Sequence, residues 1–242
     1  MQGTRNRASP SRLIKLYKKM TESQRNRINA IGFGGLLNIK CDTLPARLAN
    51  WVMVDCFDAE SSQLVFPGRG VIKITAEVVQ SIMDLPNNGD EVKYELDVSA
   101  IDFIQAKYKI ARGKAPRIGA IVKRVQSTTS ASDDFLRSWL MLAVSTFLCP
   151  PTSMGISPRC YPSIMDLSHV KDLNWCQFVV DQLKKSVSKM GKRSSVRACV
   201  LFLVVSSFLL LLLPMSTFSI LPCLYLMIPF SFVHVLLFRS YM

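Results

Sequence analysis

The stretch Asp133-Asp134-Phe135-Leu136-Arg137-Ser138-Trp139-Leu140-Met141-Leu142-Ala143-Val144-Ser145-Thr146-Phe147-Leu148 reads as a buried helix. Phe135, Leu136, Trp139, Leu140, Ala143, Val144, Phe147 and Leu148 recur three and four positions apart, the period of an α-helix. Asp133 is suited to cap it, and Pro150-Pro151 close it. A chain with such a helix at its centre is expected to be mainly α.

Working outward, a Pro- and Ser-rich loop leads to a second helix. Asp172 or Asn174 opens it, Trp175, Phe178, Val179, Leu183 and Val187 line its apolar side, and Gly191 is the natural stop after about Met190. Toward the N-terminus, Thr75 can cap a helix carrying Val78, Val79, Ile82 and Met83, which ends in the turn chemistry of Leu85-Pro86-Asn87-Asn88-Gly89. Before it, Leu64-Val65-Phe66 and Val71-Ile72-Lys73-Ile74 flank Pro67-Gly68-Arg69-Gly70, a β-hairpin signal. Thr43 as N-cap and Pro45 near the first turn open a helix through about Cys56, with Leu44, Leu48, Trp51, Val52 and Val54 as its apolar face. Residues 12–20 form a short helix, and Thr21 with Gln24 makes a capping box for another through about Ile31. Gly32, Gly34 and Gly35 stop that helix; with no Lys-Ser/Thr pair after them they are no phosphate loop. No repeat of solenoid length is present.

Residues 104–132 stand apart. They carry Lys107, Lys109, Arg112, Lys114, Arg117, Lys123 and Arg124 with no acid among them, and end in the polar run Ser127-Thr128-Thr129-Ser130-Ala131-Ser132. This predicts an exposed basic linker or insertion, and the seven cations are a candidate anion-binding set. Tyr108 alone offers a stacking surface, so the charge supports phosphate attraction without base readout.

The chain has 30 Lys+Arg against 17 Asp+Glu, a net charge of +13, yet its mean hydropathy is positive at +0.24. The two are segregated: residues 198–238 contain no Asp, Glu, Lys or Arg. Residues 198–213 would extend about 24 Å as a helix, short of a hydrocarbon core near 30 Å. After Pro214-Met215-Ser216, residues 217–238 would reach about 33 Å, kinked at Pro222 and Pro229. A transmembrane helical hairpin in the lipid bilayer is the expectation. Lys192, Arg193 and Arg197 before it and Arg239 after it are membrane-flanking residues, which put the body on the cytosolic side. A buried core segment is the competing reading; it calls for polar faces that the tail hardly offers.

The seven cysteines, Cys41, Cys56, Cys149, Cys160, Cys176, Cys199 and Cys223, are odd in number and contain no Cys-x-x-Cys pair. They argue against a disulfide framework. Cys149, Cys160, His169 and Cys176 lack the compact spacing of a zinc site. A Cys176–His169 pair is no nucleophile arrangement, and Asp133-Asp134 reads as a cap rather than an acid/base pair. No catalytic, cofactor-binding or metal residue is assigned, no cofactor or small-molecule substrate is expected, and enzyme is the weakest function class. No signal peptide opens the chain; residues 1–27 instead carry eight basic residues against Glu22.

The run from Leu64 to Gly70, then Ile74-Thr75-Ala76-Glu77-Val78-Val79, then Ile82-Met83-Asp84-Leu85-Pro86-Asn87-Asn88-Gly89, resembles the plant mobile domain, the aminotransferase-like domain of transposon-associated and main-like plant proteins. Phe33-Gly34-Gly35-Leu36-Leu37, Phe147-Leu148-Cys149-Pro150 and Asn174-Trp175-Cys176-Gln177-Phe178 add to the likeness, which covers roughly residues 28–205. These motifs are structural, so neither a catalytic residue nor a pyridoxal-phosphate lysine carries over. Similar proteins continue past residues 200–205 as a soluble helix, and some add a SUMO-protease-like domain; the apolar tail departs from that pattern.

The organisation expected is therefore a basic N-terminal arm and helix (1–27), a first helical part with a β-hairpin (28–103), the basic linker (104–132), a second helical part (133–197) and the apolar helical hairpin (198–238). Two functions fit. One is a membrane-anchored, non-enzymatic interaction domain facing the cytosol. The other is a nuclear, transposon-derived domain that touches nucleic acid or chromatin through basic segments 5–27 and 104–124, its tail a gene-model artefact.

Overall fold

A computed structural model describes residues 5–6, 10–41, 44–153, 155–188, 195–196 and 198–212. The strand β1 (Arg5–Asn6) precedes the helices α1 (Pro10–Tyr17), α2 (Glu22–Ala30) and α3 (Gly34–Leu37). Next, α4 (Ala46–Trp51) continues as a π-helical turn, Val52–Cys56, into β2 (Phe57–Asp58), β3 (Gln63–Phe66) and β4 (Gly70–Lys73). Then come α5 (Ala76–Met83), α6 (Val98–Tyr108), α7 (Ile118–Gln126) and α8 (Asp133–Ala143), the last prolonged by a second π-helical turn, Val144–Leu148. α9 (Pro162–Met165), α10 (Trp175–Val187), β5 (Ser195–Val196) and α11 (Val200–Leu212) complete the described chain. The protein is mainly helical, with a small antiparallel sheet in the order β2-β3-β4 and a parallel pairing of β1 with β5.

The core forms around α8, whose residues are all buried from 135 through the π turn to 148. Phe33 stands edge-on to Trp139 at 5.9 Å and to Trp175 at 5.2 Å between ring centroids, joining the α2–α3 connection to α8 and α10. Caps hold the ends of these helices. The Thr21–Gln24 box closes in both directions: the amide of Gln24 donates to Thr21 Oγ1 at 3.3 Å, and that of Thr21 to Gln24 Oε1 at 3.1 Å. For α8 the cap is Ser132, one residue before the acid expected, and Asp133 and Asp134 fill the first turn, where the helix dipole favours them. Asn174 caps α10 through the amide of Gln177 at 2.8 Å. Gly32, at φ +77°, ends α2; Gly34 and Gly35 lie within α3 rather than in the stop. Thr43 and Gly191 lie outside the described residues.

The hairpin has the expected loop, with Phe66 opposite Gly70 and Leu64 opposite Ile72. Leu64, Phe66 and Ile72 face the core while Val65 and Val71 face out, the alternation of a half-buried sheet. The short β2, which adds a third strand beside β3, has no signal in the sequence. The helix before it also differs. Ala49, Val52, Met53 and Cys56, at helical spacing, are buried while Trp51 and Val54 are exposed: the buried face is the one that meets α11 and the strands β2 and β3. Trp51 instead meets Phe66 edge-on at 5.6 Å.

Residues 104–132, expected as a linker, hold the end of α6 and the whole of α7. α7 is amphipathic: Ile118, Ile121 and Val125 are buried in its contact with α8, and its cations lie on the other face.

The expectation of a transmembrane anchor is overturned. α11 is 13 residues long, about 20 Å, against a hydrocarbon core near 30 Å. Residues 198–207 are buried within the protein, where α11 packs on α4, its π turn, α5 and β4. The Ser206 hydroxyl donates to the Phe202 carbonyl at 2.9 Å and that of Ser207 to Val204 at 2.7 Å, so both polar groups are satisfied inside the helix. No helix among the described residues is long and apolar enough to cross a membrane. A membrane-spanning role is therefore withdrawn for residues 198–212. The second apolar stretch, 217–238, and the flanking Lys192, Arg193, Arg197 and Arg239 lie outside the described residues.

Candidate anion-binding face

α6, α7 and the loop between them present the seven basic residues. Lys109 turns the chain out of α6 in the left-handed region, at φ +53°. The loop beyond is pinned at both ends. The amide of Ile110 donates to the Gln105 carbonyl at 2.9 Å, and Gln105 Nε2 donates to the Lys114 carbonyl at 3.2 Å. The Pro116 carbonyl accepts the amide of Ile156 at 2.9 Å, beside a β-bridge between Arg117 and Gly155. The basic segment is thus held on a fixed backbone.

Two of the seven charges are consumed internally. Asp134 Oδ1 takes Lys107 Nζ at 2.8 Å, and its Oδ2 takes Arg124 Nη2 at 3.1 Å. These bonds, that of Lys107 foremost, hold the Asp134 carboxyl below the usual carboxylate range. The Arg124 guanidinium also covers the Tyr108 ring, 4.7 Å from its centroid, while the Tyr108 hydroxyl lies 2.8 Å from Ser138 Oγ. The one aromatic of the segment is therefore occupied on a face that a base would need. Lys109, Arg112, Lys114, Arg117 and Lys123 are exposed and make no ion pair with a carboxylate among the described residues. Five exposed cations on a pinned backbone, without a carboxylate partner among the described residues, can attract phosphates; they supply no hydrogen-bond code for bases.

The N-terminal basic segment is partly spent in the same way. Arg25 donates to the Tyr17 carbonyl, and Arg27 pairs with Asp133 and reaches the Ala131 carbonyl at 3.3 Å. Lys15, Lys18 and Lys19 remain exposed. Asp134 is the partner that sequence reasoning missed, because its contacts with Lys107 and Arg124 exist only once α6, α7 and α8 are packed.

The thiols and the described histidine occupy different environments. Cys176 is buried, donates to the Leu85 carbonyl at 3.2 Å, and burial pushes its thiol up to about 12. Cys160 is likewise raised to about 12 and donates to the Ser157 carbonyl at 3.0 Å. Cys149 donates to Gln182 Oε1 at 3.5 Å. His169 is on the surface, with Nε2 3.6 Å from Asp166 and Nδ1 3.9 Å from Asp172. Among the described residues no three His, Cys, Asp or Glu side chains are grouped to hold a metal ion.

No curated protein and no solved structure matches the chain. A family model does, over residues 6–204, from β1 into the buried half of α11. That span takes in the core around α8, the three-stranded sheet and the whole basic face. The chain belongs to the family described as Domain of unknown function (DUF8566).

Proposed function

We propose that this protein is a non-enzymatic interaction domain, similar to the plant mobile domain, that works in the nucleus and holds the phosphate backbone of nucleic acid through the face formed by α6, α7 and their connecting loop. The observation that carries this reading is the set of five exposed cations, Lys109, Arg112, Lys114, Arg117 and Lys123, on a pinned loop and one helix face without a carboxylate partner among the described residues. The net charge of +13 favours the same class of partner at long range. The nuclear address rests on the resemblance of the 64–89 motifs, a fold-level analogy.

The test is fluorescence anisotropy with a labelled DNA duplex across a salt series. Five neutralised phosphates give a log–log salt slope of about −4.5, a loss of roughly 500-fold between 50 and 200 mM salt. Replacing Lys109, Arg112 and Lys114 together by Glu should weaken binding uniformly across sequences and flatten the slope by about 3. Binding that is insensitive to salt, or a triple variant that binds like the parent, refutes the reading.

A further inference from the structure

A strand edge lies open beside α10. Asp90 forms an isolated parallel β-bridge with Leu173: its amide donates to the Asp172 carbonyl at 2.9 Å, and its carbonyl accepts the amide of Asn174 at 2.7 Å. The bridge ends after one pair because its partner chain turns into α10 at Trp175. Residues 91–95 run on alone. Val92 is buried and Tyr94 half-buried while Glu91, Lys93 and Glu95 are exposed, the alternation of a strand. In a strand the N–H and C=O of one residue leave by the same edge, and those of the next residue by the other. Asp90 spends its pair on the α10 edge, so Val92 and Tyr94 turn theirs to that edge too. Lys93, of the opposite parity, accepts from the Ser163 hydroxyl at 2.8 Å on the other side. The backbone groups of Val92 and Tyr94 make no hydrogen bond among the described residues.

That edge borders a cavity of about 540 Å³ between residues 89–95 and α10. The strand is held from behind: the Tyr94 hydroxyl reaches the Cys149 carbonyl at 3.3 Å and Ser157 Oγ at 3.0 Å, and its ring meets Phe178 at 5.4 Å between centroids. On the α10 wall, Gln182 Oε1 accepts the Cys149 thiol, which leaves its NH₂ for an incoming carbonyl. The strand rim reads Glu91, Lys93, Glu95, and its two acids make no ion pair among the described residues. Backbone donors and acceptors repeated at strand spacing ask for the same repeat in a ligand, and an extended peptide carries it.

We propose that residues 90–94 take up an extended segment of a partner protein as an added parallel strand, which continues the Asp90–Leu173 bridge into the cavity. The rim selects lysine or arginine beside Glu91 and Glu95 and an acid beside Lys93, a basic-x-acidic-x-basic pattern. The site shares no residue with the basic face and stands independently of the nucleic-acid reading.

The experiment is a titration of the full chain with acetyl-Lys-Thr-Glu-Thr-Lys-amide, followed by ¹H–¹⁵N NMR. The amides of Val92 and Tyr94 should shift saturably, and their hydrogen exchange should slow at least 10-fold at saturation. The charge-reversed acetyl-Glu-Thr-Lys-Thr-Glu-amide should bind at least 10-fold more weakly, although the net charge of +13 favours it at long range. N-methylation of the Glu and second Lys of the first peptide keeps every charge and removes the donors aimed at this edge; it should also weaken binding at least 10-fold. Glu91→Lys with Glu95→Lys, both at exposed positions, should reverse the preference between the two peptides. Equal binding of the two peptides, an N-methylated peptide that binds like its parent, or a double variant with the parent's preference overturns the proposal.

Discussion

Leu203→Ala separates a core role for α11 from a lipid-facing one. Leu203 is completely buried, in a helix that packs on α4 and its π turn, on α5 and on β4. Truncation removes three carbons from a site hemmed by several elements, which leaves the surroundings little freedom to collapse into the gap. Buried Leu→Ala changes cost about 2–5 kcal/mol, and the confinement of this site places the expected loss near 3 kcal/mol. That is a large part of the roughly 5–15 kcal/mol that holds a domain folded. For a domain of this size each kcal/mol lowers Tm by about 2–4 °C, so a fall of about 6–12 °C is expected. Circular dichroism during thermal and urea unfolding reads it, with the urea midpoint moving and the m-value unchanged. Val98→Ala is the control: Val98 is 74% exposed, and its change should stay within about 0.5 kcal/mol. If Leu203→Ala unfolds together with the parent and the control, α11 is not part of the folded core and the packing argument fails.

Other consequences can be measured on the same protein. Phe33→Ala removes the ring that meets both Trp139 and Trp175, and should cost about 3–5 kcal/mol and change the tryptophan emission of the native state. Gly89 has φ +99° and a Cβ there would fall 1.8 Å from the Asp172 carbonyl oxygen, so Gly89→Ala should destabilise by more than 1 kcal/mol, read from its urea midpoint. Asp134 has a folded pKa below its unfolded value, so its contribution is present above about pH 4 and lost as pH falls through the folded pKa. Asp134→Asn should therefore flatten the acid limb of the stability curve while costing only about 0–1 kcal/mol at pH 7, since the pairs are near the surface. Burial raises Cys160, Cys176 and Cys199 to about 12, so iodoacetamide at pH 8 should label them only as fast as the protein opens; rapid labelling of the native state would contradict their burial.

The amino-acid sequence by itself determined the features whose partners lie within a few residues. The Thr21–Gln24 box, the caps at Thr75 and Asn174, the hairpin around Gly68 and the apolar face of α8 are such features, and each is present. Local hydrogen bonds and periodicity are written into adjacent positions, so no distant chain is needed to decide them. Tertiary structure decided the rest. Asp134 neutralises Lys107 from 27 positions away, and among the described residues this sorts five basic residues without a carboxylate partner from two spent ones. The carbonyls that hold Arg137 belong to Ile164 and Met165, so the place of this buried cation is decided only when α9 is docked. The buried face of α4 and its π turn runs through Ala49, Val52, Met53 and Cys56 rather than Trp51 and Val54, because α11, β2 and β3 pack on that side. Most of all, the destination of residues 198–207 could not be read from their hydropathy. The hydrophobic effect drives apolar surface out of water without specifying what receives it, and here the exposed sides of α4, α5 and β4 receive it in place of lipid.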